Sequence, residues 1–125
     1  MKTNSKKLWE KAKKIIPGGN GLLSKRPERF LPNGWPTFFK KASGVYIWDL
    51  NNKKYTDMTS MGIGTSVLGY NNKFINRFVK KKIDQGINTT LNCYDEYELA
   101  KELLKIDKFA DQVRFARGGG EAMSL

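Results

Sequence analysis

Residues 38–58 read FFKKASGVYIWDLNNKKYTDM, and this stretch decides the fold of the first half of the chain. Aromatic and β-branched residues favour extended backbone, and here they fall into three short runs, at 37–39, 45–48 and 55–56. Segments rich in glycine, serine and asparagine, at 42–44 and 50–53, separate the runs and suit turns. The pattern predicts a three-stranded antiparallel meander. Because so small a sheet cannot bury both faces, we expect it to pack on another domain or subunit.

Helical periodicity is present on both sides of the meander. Apolar residues recur every three or four positions in residues 4–16 and in 72–85, which predicts two amphipathic helices. Pro17-Gly18-Gly19 stops the first helix, and Gly86 is the expected C-terminal cap of the second. The apolar positions are Leu8, Trp9, Ala12, Ile15 and Ile16 in the first helix and Phe74, Ile75, Phe78, Val79 and Ile83 in the second.

A third helix is predicted from a capping pattern. Asp95 and Glu98 stand three residues apart, as in a capping box, ahead of an apolar run. The expected buried face of this helix consists of Leu99, Ala100, Leu103, Leu104 and Ile106.

Residues 20–36, between the first helix and the meander, are rich in glycine, proline and asparagine and show no period. An aperiodic segment of this length is long for a compact domain. We therefore expect an irregular segment that lies over another part of the protein.

The carboxyl-terminal residues combine an extended run with a glycine turn. Residues 112–116 predict a strand, the run 118–120 is all glycine, and a helix is expected to open at Glu121. Glycines let the backbone approach an anion closely, and the unpaired N–H groups of a helix's first turn attract it. The segment is therefore a candidate phosphate-binding loop, with a packing turn as the alternative. No Gly-Lys-Ser/Thr follows, which excludes a Walker loop.

Basic residues give the chain a formal charge of +11 and an isoelectric point near 9.8. Such a balance attracts polyanions, so a small basic nucleic-acid-binding protein is one alternative function. The lysines are scattered through every segment, however, whereas a nucleic-acid footprint gathers on one face with interleaved aromatics. We therefore expect no nucleic-acid partner.

Cysteine and histidine usage excludes several chemistries within these residues. Cys93 is the only cysteine and there is no histidine, so an intrachain disulfide, a Ser-His-Asp or Cys-His nucleophile and the usual zinc sites are excluded. No metal site is expected. No apolar run has the length of a signal-peptide core or a membrane span, so we expect a cytoplasmic protein with no membrane partner.

The order of the segments resembles a known family. It runs through IPGGN at 16–20, the meander at 38–58, VLGY at 67–70, TLNCYDEYELAKELL at 90–104 and VRFARGGGEA at 113–122. This pattern is similar to the amino-terminal portion of the class III, fold-type I aminotransferases, which depend on pyridoxal phosphate (PLP), and within them to the glutamate-1-semialdehyde aminomutase-like group. Its most specific parts are the Gly44-x-Tyr46-x-x-Asp49 pattern and the run at 113–122.

The resemblance implies a cofactor site in the glycine turn. Gly118, Gly119, Gly120 and Glu121 match the family's loop around the PLP phosphate, which backbone amides bind. The family's commoner loop is Ser-Gly-Thr, so in this chain the backbone donors remain whereas the side-chain hydroxyls do not.

The resemblance also implies a substrate segment. Met61, Gly62 and Ile63 match a stretch that lines the family's substrate pocket, although ordinary packing is an equal alternative for Met61 and Ile63. Tyr70 stands where many relatives have histidine.

A domain division follows from the same resemblance, within an α/β fold. Residues 1–36 would form an amino-terminal helix and irregular arm, 37–110 the meander and helices of the small domain, and 111–125 the truncated start of the large PLP-binding domain. None of the lysines matches the family lysine that holds PLP, so no catalytic residue is expected and the chain alone should be inactive. The family implies small-molecule amino donors and acceptors, and a homodimer.

The helix that opens at Glu121 has no stop signal, so we interpret the sequence as a fragment. A non-catalytic relic or assembly partner that keeps the dimerising segments is the alternative. These residues do not predict the substrate, nor the choice between transamination and intramolecular amino migration.

Overall fold

The computed structural model describes residues 5–31 and 33–125. Its elements, in chain order, are α1 (Ser5–Ile15), β1 (Phe39–Ser43), β2 (Tyr46–Asp49), β3 (Lys54–Thr56), α2 (Lys73–Asp84), α3 (Tyr94–Ile106) and α4 (Gly119–Ala122), with short 3-10 turns at Leu23–Lys25 and Pro27–Arg29. The predicted helix start at Asn4, and Pro32 of the predicted irregular segment, lie outside the described residues. The chain divides into two units, Met1–Lys81 and Lys82–Leu125.

The predicted antiparallel meander is confirmed, with strand order β1-β2-β3. Its first strand, however, runs from Phe39 to Ser43 rather than over 37–39. Ser43 pairs with Tyr46, so the connection is a two-residue turn in which Gly44 has a φ of 56°. A positive-φ glycine in so short a turn matches the twist of the two strands, which lets the ladder continue to Ser43.

Asp49 secures the second turn of the meander. Its carboxylate is buried and accepts hydrogen bonds from the backbone N–H groups of Asn51 (2.8 Å) and Lys53 (2.9 Å) and from the Tyr55 hydroxyl (3.2 Å). Asn52 supplies the positive φ of 64° that the turn requires. A buried carboxylate is tolerated here because its oxygens are satisfied by these donors.

The core of the first unit forms around Trp9. This side chain is only 4% exposed, and its indole N–H donates to the Glu28 carboxylate at 2.7 Å. A Cβ on Gly19 would lie 2.3 Å from the Trp9 ring, so the glycine permits close packing. Glu28 belongs to the 3-10 turn at Pro27–Arg29, so part of the irregular segment packs on α1, as predicted. Ile15, in contrast, is 82% exposed.

Helix α2 begins and ends as its sequence predicts. The Asn72 side-chain oxygen accepts from the N–H groups of Phe74 (3.0 Å) and Ile75 (3.1 Å), and Gly86, at a φ of 96°, donates its N–H to the Ile83 carbonyl. No residue of α2 is buried, however. The exposed apolar side chains are Phe74, Ile75, Phe78, Val79 and Ile83.

The capping box predicted for the third helix is wrong. Cys93 is the N-cap residue, and no side chain caps the helix. Asp95 instead pairs with Lys82 at 2.8 Å, and Glu98 accepts from the Tyr94 hydroxyl at 2.7 Å. Because α3 begins at Tyr94, both acidic residues lie inside the helix, beyond the cap position.

The buried face predicted for the third helix is also wrong. Ala100 and Leu104 are half-buried, whereas Leu99, Leu103 and Ile106 are exposed. Within residues 82–125 the structure shows no buried residue at all. This unit therefore has no core of its own.

The strand predicted over residues 112–116 is absent from the described chain, where this run has no regular secondary structure. A strand requires a hydrogen-bonded neighbour, and the one sheet that the described residues form contains β1, β2 and β3 alone. The helix after the glycines begins at Gly119 rather than at Glu121. No helix in the described ranges is long and apolar enough to cross a membrane.

Candidate functional site

The glycine loop presents unpaired backbone donors. Gly118 is extended, with a φ of −168°, and serves as the N-cap of α4. The first hydrogen bonds of the helix run from Ala122 N–H to the Gly118 carbonyl and from Met123 N–H to the Gly119 carbonyl, both at 3.0 Å. The N–H groups of Gly119, Gly120 and Glu121 belong to the first turn, where a helix offers no acceptor. These N–H groups are therefore available to a ligand.

Glu121 has a local structural role in this loop. Its carboxylate accepts the Arg117 backbone N–H at 2.9 Å and so folds over the start of the turn. At the other side, the Ser124 hydroxyl donates to the Gly120 carbonyl at 2.9 Å. The carboxylate opposes the binding of an anion beside it, so any anion would be held by the backbone N–H groups of the loop.

The chain itself does not require glycine at these positions. None of Gly118, Gly119 and Gly120 has a positive φ, and a Cβ built on any of them meets no atom within 4 Å in the described structure. The loop is exposed. A side chain here would therefore obstruct a bound or neighbouring molecule rather than the chain, and three adjacent unpaired N–H groups fit a phosphate held by backbone donors.

The predicted substrate residues form a left-handed turn. Met61, Gly62, Ile63 and Gly64 have positive φ values of 31°, 70°, 60° and 78°. The Gly64 N–H donates to the Ser60 carbonyl at 2.6 Å and closes the turn. For an L-residue this conformation costs roughly 1–2 kcal/mol, and for β-branched Ile63 it is a marked outlier. Ile63 is 73% exposed, so packing within the chain does not account for its conformation.

The two groups of predicted site residues lie in different units. Residues 118–121 belong to the unit Lys82–Leu125, and residues 61–63 belong to the unit Met1–Lys81. Among the described residues, no group of three or more cysteine, aspartate and glutamate side chains is placed to hold a metal ion.

Two residues near the left-handed turn were not predicted as site residues. The Tyr70 hydroxyl donates to the Asp57 carboxylate at 2.6 Å. Burial, and then the hydrogen bond and charge of Asp57, raise the pKa of Tyr70 to about 12. The two residues stand thirteen positions apart. No helical or strand period relates such positions, so the sequence carried no signal for this contact.

A family model described as Aminotransferase class-III matches residues 32–124. The glutamate-1-semialdehyde 2,1-aminomutase of Albidiferax ferrireducens is 35% identical over 121 residues, covering 95% of this chain and 27% of the relative. The enzyme of the same name from Nitrosopumilus maritimus is 37% identical over 119 residues, covering 95% of this chain and 27% of the relative.

Solved structures show the same fold. The FumI protein of Sphingopyxis sp. MTA144, in its PLP internal aldimine form, superposes with a TM-score of 0.83 at 30% identity and covers 95% of this chain and 28% of that protein. An omega-transaminase from Sphaerobacter thermophilus gives a TM-score of 0.81 at 24% identity, with 94% of this chain and 26% of that protein covered. The predicted α/β fold is confirmed, and the chain spans 26% to 28% of the length of the relatives it matches.

Proposed function

The chain belongs to the class III aminotransferase family, and we propose that it supplies the cofactor-phosphate loop of a PLP-dependent aminotransferase or aminomutase. The observation that carries the proposal is the row of unpaired N–H groups at Gly119, Gly120 and Glu121, inside the segment that the family model matches. The relatives are named aminomutases, and the chain matches their amino-terminal part.

In this proposal, the N–H groups of the loop bind the phosphate and orient the cofactor. PLP, when bound, supplies an electron sink for chemistry at an amino group. Helix α4 has only four residues, so its dipole is weak and most of the attraction comes from the direct hydrogen bonds of the backbone N–H groups. No lysine of this chain is assigned to the chemistry, and we propose no catalytic residue here.

Met61, Gly62 and Ile63 are proposed to contact a small-molecule amino donor or acceptor. The left-handed turn supports this assignment, because strained backbone conformations cluster at sites that contact ligands. Glutamate 1-semialdehyde is the substrate class indicated by the names of the relatives.

The domain and partner assignments belong to the same proposal. Residues 1–36 form the helix and arm, 37–110 the small-domain part and 111–125 the start of the PLP-binding domain. The exposed apolar side chains of α2 and α3 fit faces that the remaining part of such an enzyme, or a second subunit of a homodimer, would cover. We propose a cytoplasmic location for the enzyme.

The phosphate loop is tested with pyridoxine 5′-phosphate, which has no aldehyde to react with lysines. The amide signals of Gly119, Gly120 and Glu121 should shift on titration, whereas pyridoxine, without the phosphate, should leave them in place. Gly119→Val should weaken binding about ten- to hundredfold, the loss expected for one hindered charge-assisted hydrogen bond. Gly120→Thr should hold or raise the affinity, because it adds a hydroxyl donor.

Gly21→Val is the matched control, since a Cβ on Gly21 also meets no atom within 4 Å and its φ is not positive. It should leave the affinity unchanged. Equal affinity for the parent and Gly119→Val would show that the loop does not hold the phosphate. With PLP itself, we expect weak binding and no stoichiometric adduct at a single lysine of this chain.

A further inference from the structure

Residues 57–70 form a loop whose two ends are tied to the first turn of the meander. Asp57 donates its N–H to the Val45 carbonyl at 2.8 Å. Tyr70 exchanges a pair of backbone hydrogen bonds with Gly44, each at 2.8 Å. Gly69, at a φ of 81°, lies so close that its Cβ would be 3.2 Å from the Gly44 backbone. The base of the loop is therefore closed by backbone contacts.

A side-chain hydrogen bond crosses the same base. One oxygen of the Asp57 carboxylate accepts the Tyr70 hydroxyl at 2.6 Å. The other accepts both the backbone N–H (2.9 Å) and the hydroxyl (2.6 Å) of Thr59. Asp57 thus joins the start of the loop to its end.

Little else holds the loop in place. Met58, Ile63, Val67 and Leu68 are all exposed, so apolar packing within the chain contributes little. The left-handed turn at its centre is strained and would relax if the loop opened. The hydrogen bonds at the base, with those inside the loop, must offset this strain.

We propose that Tyr70 is a positioning residue, whose side-chain hydrogen bond to Asp57 reinforces the backbone contacts that close loop 57–70 and thereby holds Met61, Gly62 and Ile63 in the left-handed turn that meets the substrate. The inference rests on the proposed substrate role of residues 61–63. Tyr70 acts through the loop and touches no reacting group.

The protonation states suit this bond over a wide pH range. Burial raises the pKa of Tyr70, and Asp57 raises it further. Burial opposes ionisation of Asp57, but the hydrogen bonds from Thr59 and Tyr70 together outweigh burial and lower the pKa of Asp57. The phenol therefore stays a donor and the carboxylate an acceptor.

The test removes the hydroxyl alone, with Tyr70→Phe in the full 125-residue chain. Amide hydrogen exchange at Gly64, Ser66 and Gly69 should accelerate about tenfold or more, as expected on losing a hydrogen bond to a charged acceptor. Tyr94→Phe is the matched control, because it removes a phenol–carboxylate bond of 2.7 Å to Glu98 outside the loop. It should leave these amides unchanged. Unchanged exchange in Tyr70→Phe would overturn the proposal.

Tyr70→His tests rescue, since imidazole can donate to the same carboxylate, and it should restore most of the protection. If the loop amides of Tyr70→His exchange as fast as those of Tyr70→Phe, the result would count against the proposal.

A separate titration tests the substrate role of residues 61–63. Glutamate 1-semialdehyde is the probe, and its binding is followed by the NMR signal of the Met61 methyl group. Weaker binding to Tyr70→Phe than to the parent supports positioning, and equal binding by both overturns it. If the parent itself shows no shift, the substrate role of the loop fails, while hydrogen exchange still decides whether Tyr70 closes the loop.

Discussion

Two carboxylates flank the last strand of the meander, and each organises the turn beside it. Asp49, before β3, accepts hydrogen bonds from two backbone N–H groups and from the Tyr55 hydroxyl. Asp57, after β3, accepts hydrogen bonds from the backbone N–H and the hydroxyl of Thr59 and from the Tyr70 hydroxyl. Hydrogen bonds to a charged acceptor stabilise by roughly 1.5–3 kcal/mol, enough for one side chain to decide the conformation of a short loop.

The Tyr70–Asp57 pair predicts a distinctive pH dependence. The pKa of Tyr70 rises from its ordinary 10.0 to about 12, so its stabilising effect is complete below pH 10 and is lost as the pH rises through about 12. The pKa of Asp57 is lowered, so its contribution is present above its ordinary value of 3.8 and is lost as the pH falls through the lowered pKa. Between these limits, loop 57–70 should keep its protection.

Tyrosinate absorbance checks the upper limit. One of the five tyrosines should ionise near pH 12 in the parent. Asp57→Asn should move that transition back toward pH 10, and Tyr70→Phe should remove it. Persistence of the late transition in Tyr70→Phe would assign it to another tyrosine and contradict the pair.

At the scale of elements, α2 and α3 differ in how they begin. Asn72 caps α2 with its side chain, whereas Cys93 at the start of α3 makes no capping hydrogen bond. The Cys93 backbone, with φ −78° and ψ 121°, already has the extended conformation of an N-cap residue. Glu96 occupies the third helical position, where a capping box places its acidic residue. Only the side chain at position 93 is unsuited to the cap.

Cys93→Ser should therefore stabilise α3 by about 1 kcal/mol, because serine completes the Ser-x-x-Glu capping box. Amide exchange at Asp95 and Glu96 should slow by roughly fivefold. Cys93→Ala is the control and should give no such protection. If serine and alanine have the same effect, the cap at position 93 contributes nothing to the helix.

At the scale of the molecule, the chain buries little apolar surface. Among the described residues, the buried apolar side chains are Trp9 and Ala12 of α1 and Pro27 of the 3-10 turn at Pro27–Arg29. Helices α2 and α3 leave Phe74, Phe78 and Leu103 exposed. Stability is a small difference between burial and chain entropy, so exposed faces of this kind weaken cooperativity.

We expect the isolated chain to bind a hydrophobic dye and to unfold on heating over a broad range without a sharp transition. Phe78→Lys should reduce dye binding, because it interrupts the apolar face of α2, whereas Lys81→Gln on the same helix should not. Dye fluorescence and near-ultraviolet circular dichroism measure the two effects. Cooperative thermal unfolding of a soluble monomer would contradict this expectation.

The sequence by itself determined the meander, the existence of the first three helices and the family resemblance. The aromatic runs of residues 38–58 predicted the meander, and Gly86 marked the end of α2, because strand pattern and helix cap depend on neighbouring residues. The motifs at 44–49 and 113–122 identified the class III resemblance, which the family match confirmed.

The tertiary structure decided what depends on residues far apart in the chain. The indole of Trp9 meets Glu28, and Tyr70 meets Asp57, through contacts that no local period encodes. Residues 112–116 have strand-forming side chains but form no strand, because a strand needs a partner whose position the local sequence does not specify. The extent of burial on α2 and α3 also depends on distant parts of the structure, because an apolar face is buried only when another surface covers it.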